Sequence, residues 1–172
     1  TFRYVACKPN YYIAPTNKDK HGKELWNHHK MVKRTMFNYD GVEGGKTGYT
    51  TKAGGTLVTF AKRGDQELIA VDLCAHGYEL YEDTIKMLNY GFNNYKTIAP
   101  FKTMNTVLKD DTYGFLKTGN ELSPYKIPLK HLNDVTVMLE KKQSASKLTY
   151  KCKDNKYIIS YDGKQIGSVK LY

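Results

Sequence analysis

Arginine is scarce in this chain. Only three of its 27 basic residues are Arg, and the rest are lysines. Base and phosphate recognition favour the bidentate guanidinium fork, so nucleic-acid binding is not expected. Long apolar runs are absent too. None approaches the roughly 18–20 residues that cross a bilayer, and mean hydropathy is −0.61, which excludes a membrane-spanning helix. The three cysteines, Cys7, Cys74 and Cys152, show no CxxC spacing, so neither a disulfide framework nor a zinc knuckle is expected. They read as small buried hydrophobes. His28 and His29 are adjacent and face opposite ways if extended. Cys74 and His76 have no second pair at ligand spacing, so no metal site or cofactor is expected. His21 and His131, in polar stretches, read as solvent-facing. An initiator Met and a charged-then-apolar leader are also lacking. The expectation is that the chain starts inside a longer protein.

What is present is globular in composition: 172 residues, 40% hydrophobic, 13% aromatic and 26% charged. That length allows one domain or two small ones. The net charge of +10 is uneven. Residues 1–92 carry 13 basic against 10 acidic side chains, and residues 93–172 carry 14 against 7. A basic second part suits an anionic neighbour.

Residues 1–40 read as irregular. From Gly41 the pattern sharpens: a Gly-Thr-Tyr segment over Gly45–Thr50, a Gly54-Gly55 turn, and β-branched strands over Thr56–Ala61 and Glu67–Leu73 joined by a tight connection. These predict an antiparallel meander. Tyr81, Ile85, Leu88 and Phe92 then fall on one helical face, with Gly91 placed as the helix C-terminal cap. Short strands follow at Tyr113–Leu116, Val135–Leu139, Tyr157–Tyr161 and Gln165–Tyr172, and Asp162-Gly163 marks a hairpin turn. The expected fold class is α+β, with a domain boundary near residue 93: antiparallel strands plus a packing helix over 1–92, then a small all-β domain, sandwich or barrel, over 93–172.

Lys46-Thr47-Gly48 is the motif with a chemical rationale. On the edge strand of an active-site serine enzyme, Lys and Thr side chains meet a substrate carboxylate, and Gly lets the substrate backbone pair closely. Asn27-His28-His29-Lys30-Met31 precedes it, and Tyr39-Asp40-Gly41-Val42-Glu43-Gly44-Gly45-Lys46-Thr47-Gly48-Tyr49-Thr50-Thr51-Lys52-Ala53-Gly54 surrounds it. With Tyr81-Glu82-Asp83-Thr84 and Leu88-Asn89-Tyr90-Gly91-Phe92, this stretch closely resembles the serine-type D-Ala-D-Ala carboxypeptidases, the low-molecular-weight penicillin-binding proteins. The resemblance is specific over residues 27–92, faint over 1–26 and compositional beyond.

The resemblance implies a β-lactamase/transpeptidase-like domain, of which residues 1–92 would be the C-terminal part, and an extracytoplasmic, wall- or membrane-associated protein. The substrate would be a peptidoglycan stem peptide ending in D-Ala-D-Ala, with β-lactams as mimics. Lys46 would orient substrate and tune the proton network. Thr47 would bind the terminal carboxylate, Gly48 would permit close pairing, and the backbone N–H of Tyr49 would complete the oxyanion hole. In this family the nucleophilic Ser-x-x-Lys and the Ser-x-Asn elements precede the Lys-Thr-Gly strand, and neither precedes it here. The chain alone is therefore expected to be inactive, its first part stable only beside an N-terminal half supplied by a nicked companion or a swapped arrangement.

Two fragments match by spacing alone. Ser144-Ala145-Ser146-Lys147 lies downstream in the β-rich part, and Lys117-Thr118-Gly119 reads as a strand end and turn. Both are taken as decoys. Departures from the family pattern are His29, where many relatives have Asn; Glu79-Leu80-Tyr81, where many have a carboxylate-supporting Arg; Asp72, which interrupts the apolar run of the last strand; and Cys74, in place of a common small residue after it. The second reading is a non-catalytic basic β module, acting as a stalk or docking on acidic wall polymer or a partner protein. The family's C-terminal amphipathic membrane anchor has no counterpart in Val169-Lys170-Leu171-Tyr172.

Overall fold

The computed structural model describes residues 1–33, 36–100, 106–108, 113–118, 121–122, 127–128, 135–154 and 156–170. For strand residues between 106 and 128, and for Cys152, the description is of the backbone. Two compact units divide the chain, Thr1–Asn93 and Asn94–Tyr172.

The first unit is built on a meander. β3 (Val42–Thr50), β4 (Gly54–Arg63) and β5 (Gln66–Ala75) pair antiparallel in the order β3-β4-β5. Gly54 and Gly64, at φ +67° and +58°, supply the left-handed residues at its two turns. Alternation gives the sheet two unlike faces. On one face Leu57, Thr59, Ala61 and Ala70 are buried. Helix α2 (Glu79–Asn94) lays Tyr81, Leu88 and Phe92 in one apolar cluster with Leu57, Ala61 and Ala70, along with Met31 and Phe37 from the loop before β3. Each such large side chain contributes about 1.5–3 kcal/mol by leaving water. Ile85, on the same helical stripe, is half-buried.

The expected cap at Gly91 is corrected by this packing. The helix continues to Asn94, and a Cβ at Gly91 would stand 2.5 Å from Leu68 Cδ1. Gly91 is there because β5 comes close, not because the helix ends.

The other sheet face is largely bare. Register places Val58 opposite Lys46 and Val71, and Thr56 opposite Gly48 and Leu73. Ile69, Val71 and Leu73 are exposed at 72%, 49% and 68%. Only the Gly44–Phe60 end is covered, where a Cβ on Gly44 would lie 2.9 Å from the carbonyl oxygen of Ala6.

Ala6 ends α1 (Phe2–Ala6), and β1 (Asn10–Ile13) pairs antiparallel with β2 (Lys23–Trp26). The irregular reading of residues 1–40 is thus corrected by a short helix and a hairpin. All eight hairpin side chains are exposed, so no buried face imposes an alternation that the sequence could display. Arg3 ties α1 to the sheet through ion pairs with Glu43 on β3 and, at 3.2 Å, Glu67 on β5.

Among the described residues the second unit is mostly strands, with a 3-10 turn at Ala145–Lys147. β6 (Tyr95–Ile98) pairs with β11 (Val137–Glu140). β8 (Tyr113–Thr118) pairs with β7 (Thr106–Leu108), β9 (Glu121–Leu122) and β10 (Ile127–Pro128). β12 (Leu148–Lys153), β13 (Lys156–Tyr161) and β14 (Lys164–Lys170) form a meander. Val137, Leu139, Tyr157 and Ile159 are buried. Asp162 and Gly163, at φ +50° and +79°, form the predicted tight turn between β13 and β14. Two successive positive φ values suit the right-handed strand twist. The architecture is α+β, an antiparallel sheet with a packing helix followed by strands.

Candidate active site

β3 presents its motif on an edge, because β4 occupies one side and no described strand occupies the other. Three glycines in this strand answer to neighbours. At Gly45 a Cβ would fall 2.1 Å from the Val58 carbonyl oxygen and 2.7 Å from the His29 ring; at Gly48 it would meet Thr56 Oγ1 at 2.5 Å. With Gly44 against Phe60, they let β3 lie closer to its surroundings than side chains would permit.

His29 is the support behind the motif. It is fully buried, its Nε2 is 2.8 Å from Thr59 Oγ1, and Thr59 is the β4 partner of Gly45. Its backbone N–H donates to Asn27 Oδ1, while Asn27 Nδ2 donates to the carbonyls of Ala6 and Lys8. The ring meets Tyr81 edge-on at 6.1 Å. Burial holds the imidazole down to a pKa of about 4, against smaller upward effects from backbone contacts with Val58 and its own main chain. Nδ1 has no described hydrogen-bond partner. The neutral ring is therefore the form that this pocket accepts. His28, by contrast, is exposed.

Of the predicted site residues, Lys46, Thr47, Gly48 and Tyr49 all lie on β3. Alternation sends Lys46 to the bare face and Thr47 to the His29 face. Lys46 Nζ donates to the Thr47 carbonyl. Tyr49 is 76% exposed. Gly45, Lys46 and Thr47 form one wall of a groove of about 710 Å³, whose other walls include Tyr4 from α1, Tyr11 and Trp26 from the hairpin, and His28 just after it. The sequence reading missed this aromatic wall. The Tyr-Tyr and Leu-Trp pairs were its available signal, within a stretch read as irregular.

The departures have definite places. Leu80 packs against Gly55 and Tyr81 stacks on Phe37 at 4.7 Å, so this end of α2 offers apolar packing rather than a cation. Lys30 Nζ lies over the Tyr78 ring at 4.1 Å. Burial, and then nearby Asp83, push the Asp72 carboxyl above its ordinary range. Cys74 is exposed and left-handed at φ +64°, which corrects the buried reading. It sits beside the β4–β5 register shift at Gly55, where irregular pairing turns it outward.

The Ser-x-x-Lys decoy is a solvated turn. Ser144 Oγ accepts from the Ser146 backbone N–H and lies 2.8 Å from Ser146 Oγ. Lys147 Nζ pairs with Asp162 at 3.2 Å, which raises its pKa and leaves it a poor base for Ser144. Lys117 and Thr118 lie on β8; Gly119 and His131 are outside the described residues. No group of three or more His, Cys, Asp and Glu suited to a metal ion occurs among the described residues.

Residues 8–77 match the D-alanyl-D-alanine carboxypeptidase family model. The chain is 30% identical over 154 residues to the D-alanyl-D-alanine carboxypeptidase DacF of Bacillus subtilis, covering 87% of this chain and 37% of DacF. It is 35% identical over 77 residues to DacC of Escherichia coli, covering 44% of this chain and 18% of DacC. In fold it resembles penicillin binding protein 5 from Haemophilus influenzae, with a TM-score of 0.59 and 22% identity, over 98% of this chain and 49% of that one. It also resembles penicillin binding protein 6B from Escherichia coli, with a TM-score of 0.53 and 19% identity, over 99% and 44%. The chain thus spans less than half the length of the curated relatives it matches, and residues 8–77, which hold its Lys-Thr-Gly strand, match the D-alanyl-D-alanine carboxypeptidase family.

Proposed function

We propose that this chain supplies the Lys-Thr-Gly strand of a serine-type D-Ala-D-Ala carboxypeptidase, an extracytoplasmic enzyme that trims peptidoglycan stem peptides. The observation that carries this reading is the unpaired edge of β3, with Lys46, Thr47 and Gly48 beside a groove. A stem peptide lies along that edge, and Gly48 leaves its backbone room to pair. The Thr47 hydroxyl donates to the terminal D-Ala carboxylate, and Lys46 adds charge complementarity.

The nucleophile comes from elsewhere in the longer protein, since the first serine of this sequence is Ser123. Its hydroxyl oxygen attacks the penultimate D-Ala carbonyl, and the Tyr49 N–H stabilises the resulting oxyanion. The C–N bond breaks, the terminal D-Ala leaves as the amine with the serine proton, and water hydrolyses the ester. β-Lactams would acylate the same serine.

The bare face of Ile69, Val71 and Leu73 supports a companion segment, because apolar patches of this kind mark interaction surfaces. The segment bearing the nucleophile covers that face and enters the groove beside Lys46. A nicked chain and an arrangement swapped between copies would both provide it.

The test is intact mass after incubation of the purified sample with labelled penicillin. An adduct on a co-purifying fragment, with none on this chain, supports the reading. An adduct on this chain would place the nucleophile among its own serines and overturn it.

A further inference from the structure

The last meander carries an uncompensated line of charge. Register sets Lys153 opposite Lys156, and Lys156 opposite Lys170. Paired residues of antiparallel strands share a face, so three ammonium groups form one row across strands about 4.8 Å apart. Lys151 joins that face by alternation. The opposite face carries buried Tyr157 and Ile159, so the lysine face is the outer one. All four lysines are exposed. The ion pairs described in this unit are Lys142–Glu140 and Lys147–Asp162, and neither involves the row. The adjacent acid is Asp154, exposed in the turn between β12 and β13. Like charges placed directly opposite one another destabilise a sheet, and an external polyanion removes that cost.

We propose that the row Lys153–Lys156–Lys170, flanked by Lys151, docks a linear, base-free phosphodiester polymer lying across the strands. Charge complementarity selects this occupant, since lysine binds phosphate as a point charge without demanding one fixed geometry. A lipid surface fits less well. The other side chains that share this face include Ile158 and Ser168, and among the described residues the row has no aromatic ring to seat in a headgroup layer. No group of β3 takes part, so the inference stands or falls apart from the carboxypeptidase reading.

End-labelled poly(glycerol phosphate) titrated with the 172-residue chain tests it by fluorescence anisotropy. Three neutralised phosphates predict binding ~20–40-fold weaker at about 200 mM salt than at about 50 mM. The triple variant K153Q/K156Q/K170Q should bind at least about tenfold more weakly, with a melting temperature unchanged or raised. The corresponding Lys→Arg triple should retain binding, as should K141Q/K142Q. Undiminished binding by the Gln triple, or loss in the Arg triple, overturns the proposal. So does salt-independent binding, or a preference for phosphatidylglycerol vesicles or polyglutamate over the polymer.

Discussion

His29 Nε2 and Thr59 Oγ1 meet at 2.8 Å directly behind Gly45, one residue before Lys46. A buried polar contact in the first unit therefore sets how far the motif strand can sink toward the helix. His29 is accommodated there because Gly45 yields the volume that the ring takes.

The first prediction concerns pH. In the unfolded chain His29 titrates near the ordinary 6.5, and in the folded chain near 4. Folding disfavours the charged form, so this contribution is full above about pH 6.5 and lost as pH falls from there toward 4. The difference amounts to about 3 kcal/mol at most. Urea denaturation at pH 7 and pH 4.5 measures it. His29→Asn should flatten the difference between the two values, and an unchanged pH dependence in that variant would count against the assignment.

Glycine substitutions should separate crowding from backbone conformation. Gly45→Ala drives a methyl into the Val58 carbonyl and the His29 ring, and overpacking of this kind costs about 1–3 kcal/mol. Gly64→Ala meets nothing within 4 Å, and only its φ of +58° opposes it, at about 1–2 kcal/mol. His29→Ala should rescue part of the first loss and none of the second. Thermal melts of the single and double variants read this directly.

Lys46→Gln should leave folding within about 0.5 kcal/mol, as expected of an exposed side chain away from the core. In the longer protein the same change should slow penicillin acylation by roughly 10²-fold, the scale of losing one charge-stabilising donor. Equal acylation rates for the two proteins would remove Lys46 from the chemistry.

Ile69→Lys and Leu73→Lys, on the exposed sheet face, should raise the solubility of the 172-residue chain without lowering its melting temperature. If that face seats the nucleophile-bearing segment, both changes should abolish co-purification of the two pieces. Retained co-purification would put the companion elsewhere.

The meander was legible because one of its faces is buried. Thr56–Ala61 and Glu67–Leu73 announce β-branched strands, and Tyr81, Leu88 and Phe92 show the helical period of a face that does pack. Structure extends these elements by one to three residues at their ends, where no apolar demand marks a boundary. The β1–β2 hairpin stayed hidden because its side chains are all exposed, and α1 spans only five residues. Lys46, Thr47, Gly48 and Tyr49 could be named from their motif. The support beneath them could not, since the contact of His29 with Thr59 joins residues 30 apart in sequence. Cys74 was misread because its neighbours are apolar while its backbone turns it outward.

The two unlike faces of β5 make the length of that strand as constrained as its composition. Ile69, Val71 and Leu73 alternate with Ala70 and Asp72, so inserting or deleting one residue within the strand would exchange the whole set between faces. Isoleucine and leucine would be driven against α2 where alanine now fits, and Asp72 would leave the face it shares with Leu57 and Ala70 for the exposed one. Variation in length is tolerated instead at the Arg63–Gln66 turn, where Gly64 touches no neighbour. A drifting lineage of this chain would therefore change its turns in length and its strands only by substitution.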